Sequence, residues 1–419
     1  MIGGKQGYGI GEGGSSNPPW PTNCKLMQKE YGQFFMSETL RLFDEFERTD
    51  ASPAKYSESI FDALNRLSWK NAVRIRDVLE DWFSTHPPEN KQDLVRRFRS
   101  NRDDQHQGAF FELFLRKFLT RLEYTVTVNP SMSSGMTPDF FVASTSGEEF
   151  YLEATVAEPK TLRDSPSEEQ SLDELSKLQC PDYWLFPKVR GVLHSTPPLK
   201  KMRQTFQGWI DELSYETVKD TSRSRKYPSC SFTHAGWALT LTAIPRGEAH
   251  RGKPGARPLA DISRADFVDS AKPIWNAAHE KAKKYKALGA PFIVAINTLD
   301  RAGVDRLDVL LALFGWEGST DEPDLARISP LRGERKRDWL WDANKNTGVS
   351  AILLFNELYP SAMASAPVCL YENPWASHPV PASLQRLPHA IADGEFMRWH
   401  PGETLGAILS LPADWPGPK

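Results

Sequence analysis

The stretch Gly108–Glu158 joins a helical pattern to several strand patterns, and this order limits the folds available to the chain. In Gly108–Tyr124 apolar residues recur every three or four positions, which predicts a helix with one apolar face. Thr125–Pro130 then has the pattern of a short strand. Asp139–Ser144 and Glu149–Val156 follow, separated by a Ser-Gly turn. These two runs predict a β-hairpin directly after the helix.

Glu153 is a carboxylate in the middle of an otherwise apolar strand. Alternation along the strand places Glu153 on the same face as Tyr151 and Thr155. A carboxylate there is costly to bury unless it is paired, hydrogen-bonded or bound to a metal ion. Because Asp139 begins the neighbouring strand, we expect the two acids to converge on one side of the hairpin. Converging oxygens with free water positions suit Mg²⁺, and such an ion can activate water for attack on a phosphate.

These acids belong to a recognisable series along the chain. Glu112 lies on the predicted helix, Pro138-Asp139 follows, and Glu153-Ala154-Thr155 lies in the second strand of the hairpin. The series resembles the PD-(D/E)XK nuclease superfamily, which has the restriction-endonuclease-like fold. The resemblance covers Gly108–Glu158 and extends more loosely over the later strands.

The resemblance implies that the acids hold Mg²⁺ or Mn²⁺ and that the chain hydrolyses phosphodiester bonds of nucleic acid, with DNA favoured over RNA. A nuclease without a helicase motif also suits a role in bacterial antiphage defence. The implied metal-binding groups are the carboxylates of Glu112, Asp139 and Glu153 and the carbonyl of Ala154.

The lysine that the resembled family carries two residues after the strand acid is replaced by Thr155. In the family this lysine orients or activates the water, and it is sometimes carried by another element. The helix predicted at Asn276–Leu288 can supply it. Lys281 is the first candidate for this catalytic lysine, and Lys284 lies one turn further along. The alternatives are the hydroxyl of Thr155 itself, or lysines that are only solvated side chains. Further candidates are Lys117 and Lys160.

Beyond Glu158, helical and apolar strand patterns alternate as far as Pro374. The nearly continuous apolar run Phe292–Ile296 predicts a strand that is covered on both faces. This order predicts an α/β fold, in which a mixed central β-sheet is flanked by helices and preceded by a helical N-terminal region. Further strands are predicted at 182–194, 236–245, 289–300, 349–358 and 368–374, and further helices at 171–179, 199–213, 266–288 and 303–314.

Four parts are predicted along the chain. They are a flexible tail rich in Gly, Ser and Pro at 1–23, a helical region at 24–105, a nuclease-like core with insertions at 106–375, and a Pro-rich extension at 376–419. One more helix is predicted in the extension, near 403–409. Within the helical region, helices are predicted at Met27–Arg48, Ser57–Trp69, Ala72–Ser84 and Asn90–Asn101.

Basic side chains cluster in several places. The arginines within 96–102 suit either contact with a nucleic-acid backbone or a solvated helix face. Further basic clusters occur at 200–203, 223–226 and 332–337. His106 lies next to the Gly108 helix and could act as a base, although a single histidine is more often structural.

The composition narrows the class of protein. Lys and Arg total 51 against 54 Asp and Glu, a net charge of −3, so any surface for nucleic acid must be local. The four cysteines form no CxxC pair, which fits a reducing cytosol and argues against a disulfide framework. No run of about eighteen apolar residues occurs, so we expect a cytoplasmic protein without a membrane span.

Two other functions stay open. Thr155 in the lysine position is compatible with a catalytically inactive nuclease-like module that binds nucleic acid or a partner protein. The helical region is compatible with a scaffold that mediates assembly, including assembly into a homo-oligomer.

Overall fold

The computed structural model of the chain describes most of the sequence from residue 40 onward. The described ranges are 40–132, 135–158, 166–191, 193–221, 227–252, 258–259, 263–264, 269–285, 288–300, 303–315, 318–328 and 338–418. The predicted tail at 1–23, most of the predicted helix Met27–Arg48, Lys160, and the basic clusters at 223–226 and 332–337 lie outside the described residues.

The described helices and strands alternate along much of the chain. The helices are α1 (Ile60–Arg66), α2 (Lys70–Ser84), α3 (Pro88–Phe98), α4 (Asp103–Arg121), α5 (Pro166–Leu175), α6 (Leu199–Asp211), α7 (Tyr215–Thr221), α8 (Ala271–Lys284), α9 (Arg306–Phe314) and α10 (Leu405–Leu409). The strands are β1 (Thr125–Val128), β2 (Phe140–Ala143), β3 (Glu149–Ala157), β4 (Tyr183–Arg190), β5 (Ser229–His234), β6 (Trp237–Pro245), β7 (Ser263–Arg264), β8 (Phe292–Thr298), β9 (Gly318–Ser319), β10 (Leu325–Arg327), β11 (Ala351–Asn356), β12 (Val368–Glu372), β13 (His389–Asp393) and β14 (Phe396–His400). None of the described helices is both long enough and apolar enough to cross a membrane.

A mixed sheet organises the fold. Its strand order is β1-β2-β3-β8-β11-β12-β13-β14-β10-β9. The pairs β1–β2 and β2–β3 are antiparallel, whereas β3, β8 and β11 run parallel to one another. Helix α4 covers one face of these strands, and α8 and α9 cover the other. The predicted α/β class, with a mixed central sheet flanked by helices, is therefore confirmed.

Helix α4 is fixed on the sheet by the apolar face that its sequence predicts. The rings of Phe111, Phe114 and Phe118 all pack edge-on against Phe355 of β11, with centroid distances of 5.5, 5.5 and 5.6 Å. All three helix rings are fully buried. This contact sets the position of Glu112 on the same helix.

Strand β8 is buried along its whole length, as its apolar sequence predicts. Ile293 and Ala295 face the α4 side of the sheet, and Val294 and Ile296 face the α8 side. The register pairs Glu153 of β3 with Val294, so the Glu153 side chain lies on the α8 side. The alternation predicted for β3 holds, because Phe150 and Leu152 lie in the core on the α4 side.

A second sheet, with strand order β5-β6-β4-β7, has its own apolar core with α5, α6 and α7. In the sequence it lies between β3 and α8, the two elements that carry Glu153 and Lys281. Strands β4 and β6 were expected from their patterns. Strand β5 and helix α7 were not predicted, because residues 216–231 are charged and show no regular apolar pattern.

The helices that precede α4 pack against it and share its core, and Arg41–Lys419 forms one compact unit. The prediction that a helix extends to Arg48 is wrong for residues 40–48, which form no helix. Leu42 and Phe43 are nevertheless buried. The Arg99 guanidinium holds this segment by donating to the carbonyl oxygens of Leu42 and Arg41, at 3.0 and 3.1 Å.

The C-terminal residues, predicted to be a Pro-rich extension, contribute two strands to the central sheet. Strands β13 and β14 belong to the central sheet, where β13 runs parallel to β12. The predicted helix near residues 403–409 is present as α10, capped by the Thr404 side chain. The sheet therefore continues beyond the expected core boundary at residue 375.

Candidate active site

Glu153 lies at the centre of a buried cluster of charged and polar groups. Its side chain is fully buried and receives three donors from one face of α8 and the residue that follows it. The Lys281 ammonium and the Tyr285 hydroxyl both bond to the carboxylate, and Lys284 Nζ lies 3.3 Å from Oε1. Spacing of three and four residues places the donors on the same side of the helix. The buried carboxylate is thus satisfied by protein groups.

Asp139 lies immediately before β2, next to the middle of β3. Its Oδ2 accepts a hydrogen bond from the backbone amide of Ala154, at 2.7 Å. Burial, followed by the negative charge of Glu153, raises the pKa of Asp139 to about 7. The Lys281 charge opposes this shift, and the Glu112 charge adds to it. Asp139 therefore holds its proton more tightly than an exposed carboxyl group does, mainly because it is buried and next because Glu153 is negatively charged.

Glu112 is held by a different partner. Both of its oxygens accept hydrogen bonds from Arg97 of α3, at 2.7 and 2.6 Å. Arg97 also bonds to Asp93, one turn earlier on α3. Among the described residues, no three His, Cys, Asp or Glu side chains are grouped so that they could hold a metal ion together. The expected set of three carboxylate ligands is therefore not formed by this arrangement, because Glu112 points into an ion pair.

The lysine candidates are separated by their contacts. Lys281 and Lys284, on α8, both reach Glu153, although they lie more than 120 residues further along the chain. Lys117 instead pairs with Asp81, with 3.5 Å between Nζ and Oδ2. Lys281, the first candidate from the sequence, is therefore in contact with the strand acid Glu153. It supplies an ammonium group, which the side chain of Thr155 lacks.

The arginines within 96–102 and His106 have partners inside the protein. Arg96, Arg99 and Arg102 each form an ion pair with a nearby aspartate. His106 is fully buried, lies with its ring centroid 4.6 Å from that of Phe98 and bonds to the Phe98 carbonyl oxygen through Nδ1. Burial lowers the pKa of His106, so its ring is held neutral. The solvated or packed alternatives are favoured for all of these residues.

Tyr285 was not among the candidates from the sequence. Its hydroxyl contacts Glu153 and the backbone just before Asp139. Its hydroxyl donates to Glu153 and lies 3.0 Å from the carbonyl oxygen of Thr137. Burial and the Glu153 charge raise its pKa, so the phenol stays protonated. The available signal was its spacing of four residues from Lys281.

Replacing Tyr285 with Phe should lower the free energy of unfolding by about 1.5–3 kcal/mol, the usual contribution of a hydrogen bond to a charged group. The ring and its packing against Phe292 are kept, so the change isolates the hydroxyl. Urea denaturation at pH 7 measures the effect. Unchanged stability would mean that Lys281 and Lys284 satisfy Glu153 without the phenol.

Comparisons of the chain with protein-family models, with curated proteins and with solved structures found no significant match. The chemistry must therefore be argued from the residues of the site.

Proposed function

We propose that this protein is a metal-dependent nuclease that hydrolyses phosphodiester bonds, with DNA favoured over RNA. The observation that carries the proposal is the convergence of Asp139, just before β2, with Glu153 of β3 and Lys281 of α8. The sites of the resembled PD-(D/E)XK nucleases likewise combine acids with a lysine. The resemblance and the cysteine pattern also lead us to propose a cytoplasmic protein with a role in antiphage defence.

The donor set suits Mg²⁺ or Mn²⁺. Carboxylate oxygens are hard ligands, and a divalent cation would favour the charged form of Asp139, whose pKa is raised first by burial and then by the negative charge of Glu153. Asp139 and Glu153 would hold the ion, with the Ala154 carbonyl as a further oxygen. The ion would supply charge stabilisation at the phosphate and a more acidic bound water.

The protein's own groups have distinct tasks in this proposal. The bond from the Ala154 amide fixes the orientation of the Asp139 carboxyl. Lys281 is one-quarter exposed, so its ammonium group reaches both the buried Glu153 and the solvent side of the site. From there it can orient a water molecule or donate to a phosphate oxygen, as the family lysine does. Tyr285 and Lys284 keep Glu153 in place.

Cleavage assays test the proposal directly. DNA is offered both as plasmid and as single-stranded oligonucleotide, and we expect at least one of the two forms to be cut with Mg²⁺ or Mn²⁺ and to stay intact with EDTA. Asp139→Ala should lower the rate by about a hundredfold or more, because the ion would lose one of its two carboxylate ligands and even loss of a group that only orients a ligand costs about 10- to 100-fold. Gel analysis of product formation over time gives the rates. Equal rates in the wild type and the variant would remove the assignment.

A catalytically inactive module that binds nucleic acid is the second candidate. It is favoured by one observation, that the carboxylates of Glu153 and Glu112 are already paired within the protein. Calorimetric titration with Mn²⁺ separates the two functions. Heat of binding that disappears in Asp139→Ala supports the nuclease, whereas no uptake of metal with or without DNA supports the inactive module.

A further inference from the structure

The second sheet has two unlike faces. On one face Leu185, Val189, Leu239 and Leu241 pack against α5, α6 and α7. The other face, here called the outer face, consists of the alternate residues of the three longer strands. Its members are Trp184, Phe186, Lys188 and Arg190 of β4, Ala238, Thr240, Thr242 and Ile244 of β6, and Ser229, Ser231 and Thr233 of β5.

An aromatic side chain on the outer face is exposed to a degree that is unusual for this protein. Phe186 is 40% exposed, although it lies in the middle of a strand. Trp184, two residues earlier on the same strand, shares this face and is half-buried. Side chains two residues apart on a strand are about 7 Å apart, so the two aromatic side chains are neighbours on this face. The Arg246 guanidinium lies 3.8 Å from the Trp184 ring centroid and covers one face of that ring.

The outer face is also positively charged. Lys188 and Arg190 are both exposed, and β4, β5 and β6 contain no Asp or Glu. In a chain with a net charge of −3, this is a local reversal of sign. The strand register places Lys188 beside Thr240, whose hydroxyl is bonded to Ser231 at 2.7 Å. Next to the aromatic rings there is therefore a row of cations and a row of hydroxyl groups.

We propose that the outer face binds a single-stranded nucleic acid. Unpaired bases expose flat faces that stack on aromatic rings, whereas the bases of a duplex are stacked on one another. Lys188 and Arg190 would contact phosphates, and the hydroxyls of β5 and β6 would bond to sugars or base edges. A protein partner is less suited, because the outer face lacks acidic residues and offers cations in line with the rings.

This inference rests on the proposed function, because it names the form of nucleic acid that the nuclease would take. The chain order supports the connection. In the sequence the second sheet lies between β3 and α8, the elements that carry Glu153 and Lys281. A nucleic-acid strand bound on the outer face is therefore held by a part of the chain that is connected to both elements of the candidate site.

The test is fluorescence anisotropy of labelled 20-nucleotide DNA, RNA and a DNA duplex of the same sequence, with the full-length chain in EDTA. Phe186→Ala should weaken binding of the single strands by about 5- to 150-fold, the loss expected for one stacked base. The salt dependence should stay unchanged. Lys188→Ala with Arg190→Ala should instead reduce the slope of log affinity against log salt by about 1.4, since two phosphate contacts are lost.

Phe46→Ala is the matched control, because Phe46 is 48% exposed but lies in the N-terminal region. Its affinity should equal that of the wild type. Circular dichroism of every variant shows whether the sheet is intact. Equal affinity of Phe186→Ala and wild type, or tighter binding of the duplex than of the single strands, would overturn the inference. Because EDTA prevents metal-dependent cleavage, binding without activity in magnesium would reject the nuclease and leave the outer face supported.

Discussion

Replacing Lys281 with methionine is expected to lower the cleavage rate about a thousandfold and the free energy of unfolding by about 3 kcal/mol. In the proposed mechanism Lys281 orients water or the phosphate, and loss of a group with such a role lowers rates by about this much. The second effect follows because Glu153 is fully buried and loses a charged partner. Lys284 and Tyr285 remain, so the loss of stability stays at the lower end for a broken buried ion pair.

Lys283→Met is the control for the Lys281 substitution. Lys283 lies on the same turn of α8 but is exposed, and it should change neither property. The double variant Lys281→Met with Glu153→Gln should recover most of the stability, because no unpaired buried charge is left, yet stay inactive. Rates come from cleavage of labelled DNA and stabilities from urea denaturation. A fully active Lys281→Met protein would show that the lysine has only a structural role.

A further variant tests whether Lys281 replaces the lysine that the resembled PD-(D/E)XK nucleases carry two residues after the strand acid. Thr155→Lys in the Lys281→Met background returns an ammonium group to the position two residues after the strand acid. Partial recovery of the cleavage rate is expected if the position of the charge, rather than its origin, matters. No recovery, in a folded variant, would favour a role for Lys281 that depends on α8.

Much of the site follows from local sequence rules. Alternation along β3 placed Glu153 opposite the apolar face, and the cost of a buried carboxylate predicted that it has partners. The approach of Asp139 to β3 followed from the hairpin. Lys281 was favoured through the resemblance, because in the resembled family the helix after the catalytic strand can carry a polar residue that faces the site. These inferences depend on periods of two and four residues, which a single sequence displays.

What the sequence did not show depends on contacts between distant segments. The ion pair between Arg97 and Glu112 joins two helices whose packing angle no local pattern reports. Strands β13 and β14 were missed because they lie in a stretch where prolines and polar residues mask the short apolar runs. The helix expected up to Arg48 fails at 40–48 because Arg99 binds the backbone there, and such tertiary contacts override local propensity.

Asp139→Asn is expected to stabilise the protein at pH 8 by about 2–4 kcal/mol and to have little effect near pH 4. The folded protein raises the pKa of this half-buried carboxyl from 3.8 to about 7. It therefore binds the proton more tightly than the unfolded chain does. As the pH rises from about 4 to about 7, the stability that this group contributes is lost, because each tenfold difference in proton affinity corresponds to about 1.4 kcal/mol. Asparagine carries no charge, so the variant avoids this loss.

Urea denaturation of both proteins at pH 4.5, 6, 7 and 8 gives the difference in stability, in which titrating groups that do not interact with Asp139 cancel. The exposed Asp220→Asn serves as the control and should give no pH-dependent difference. Adding Mg²⁺ at pH 8 should raise the midpoint of the wild type more than that of Asp139→Asn, because the cation would bind to the charged carboxylate of Asp139. A difference that is constant from pH 4.5 to 8 would mean that folding does not raise the pKa of Asp139, which would contradict this prediction.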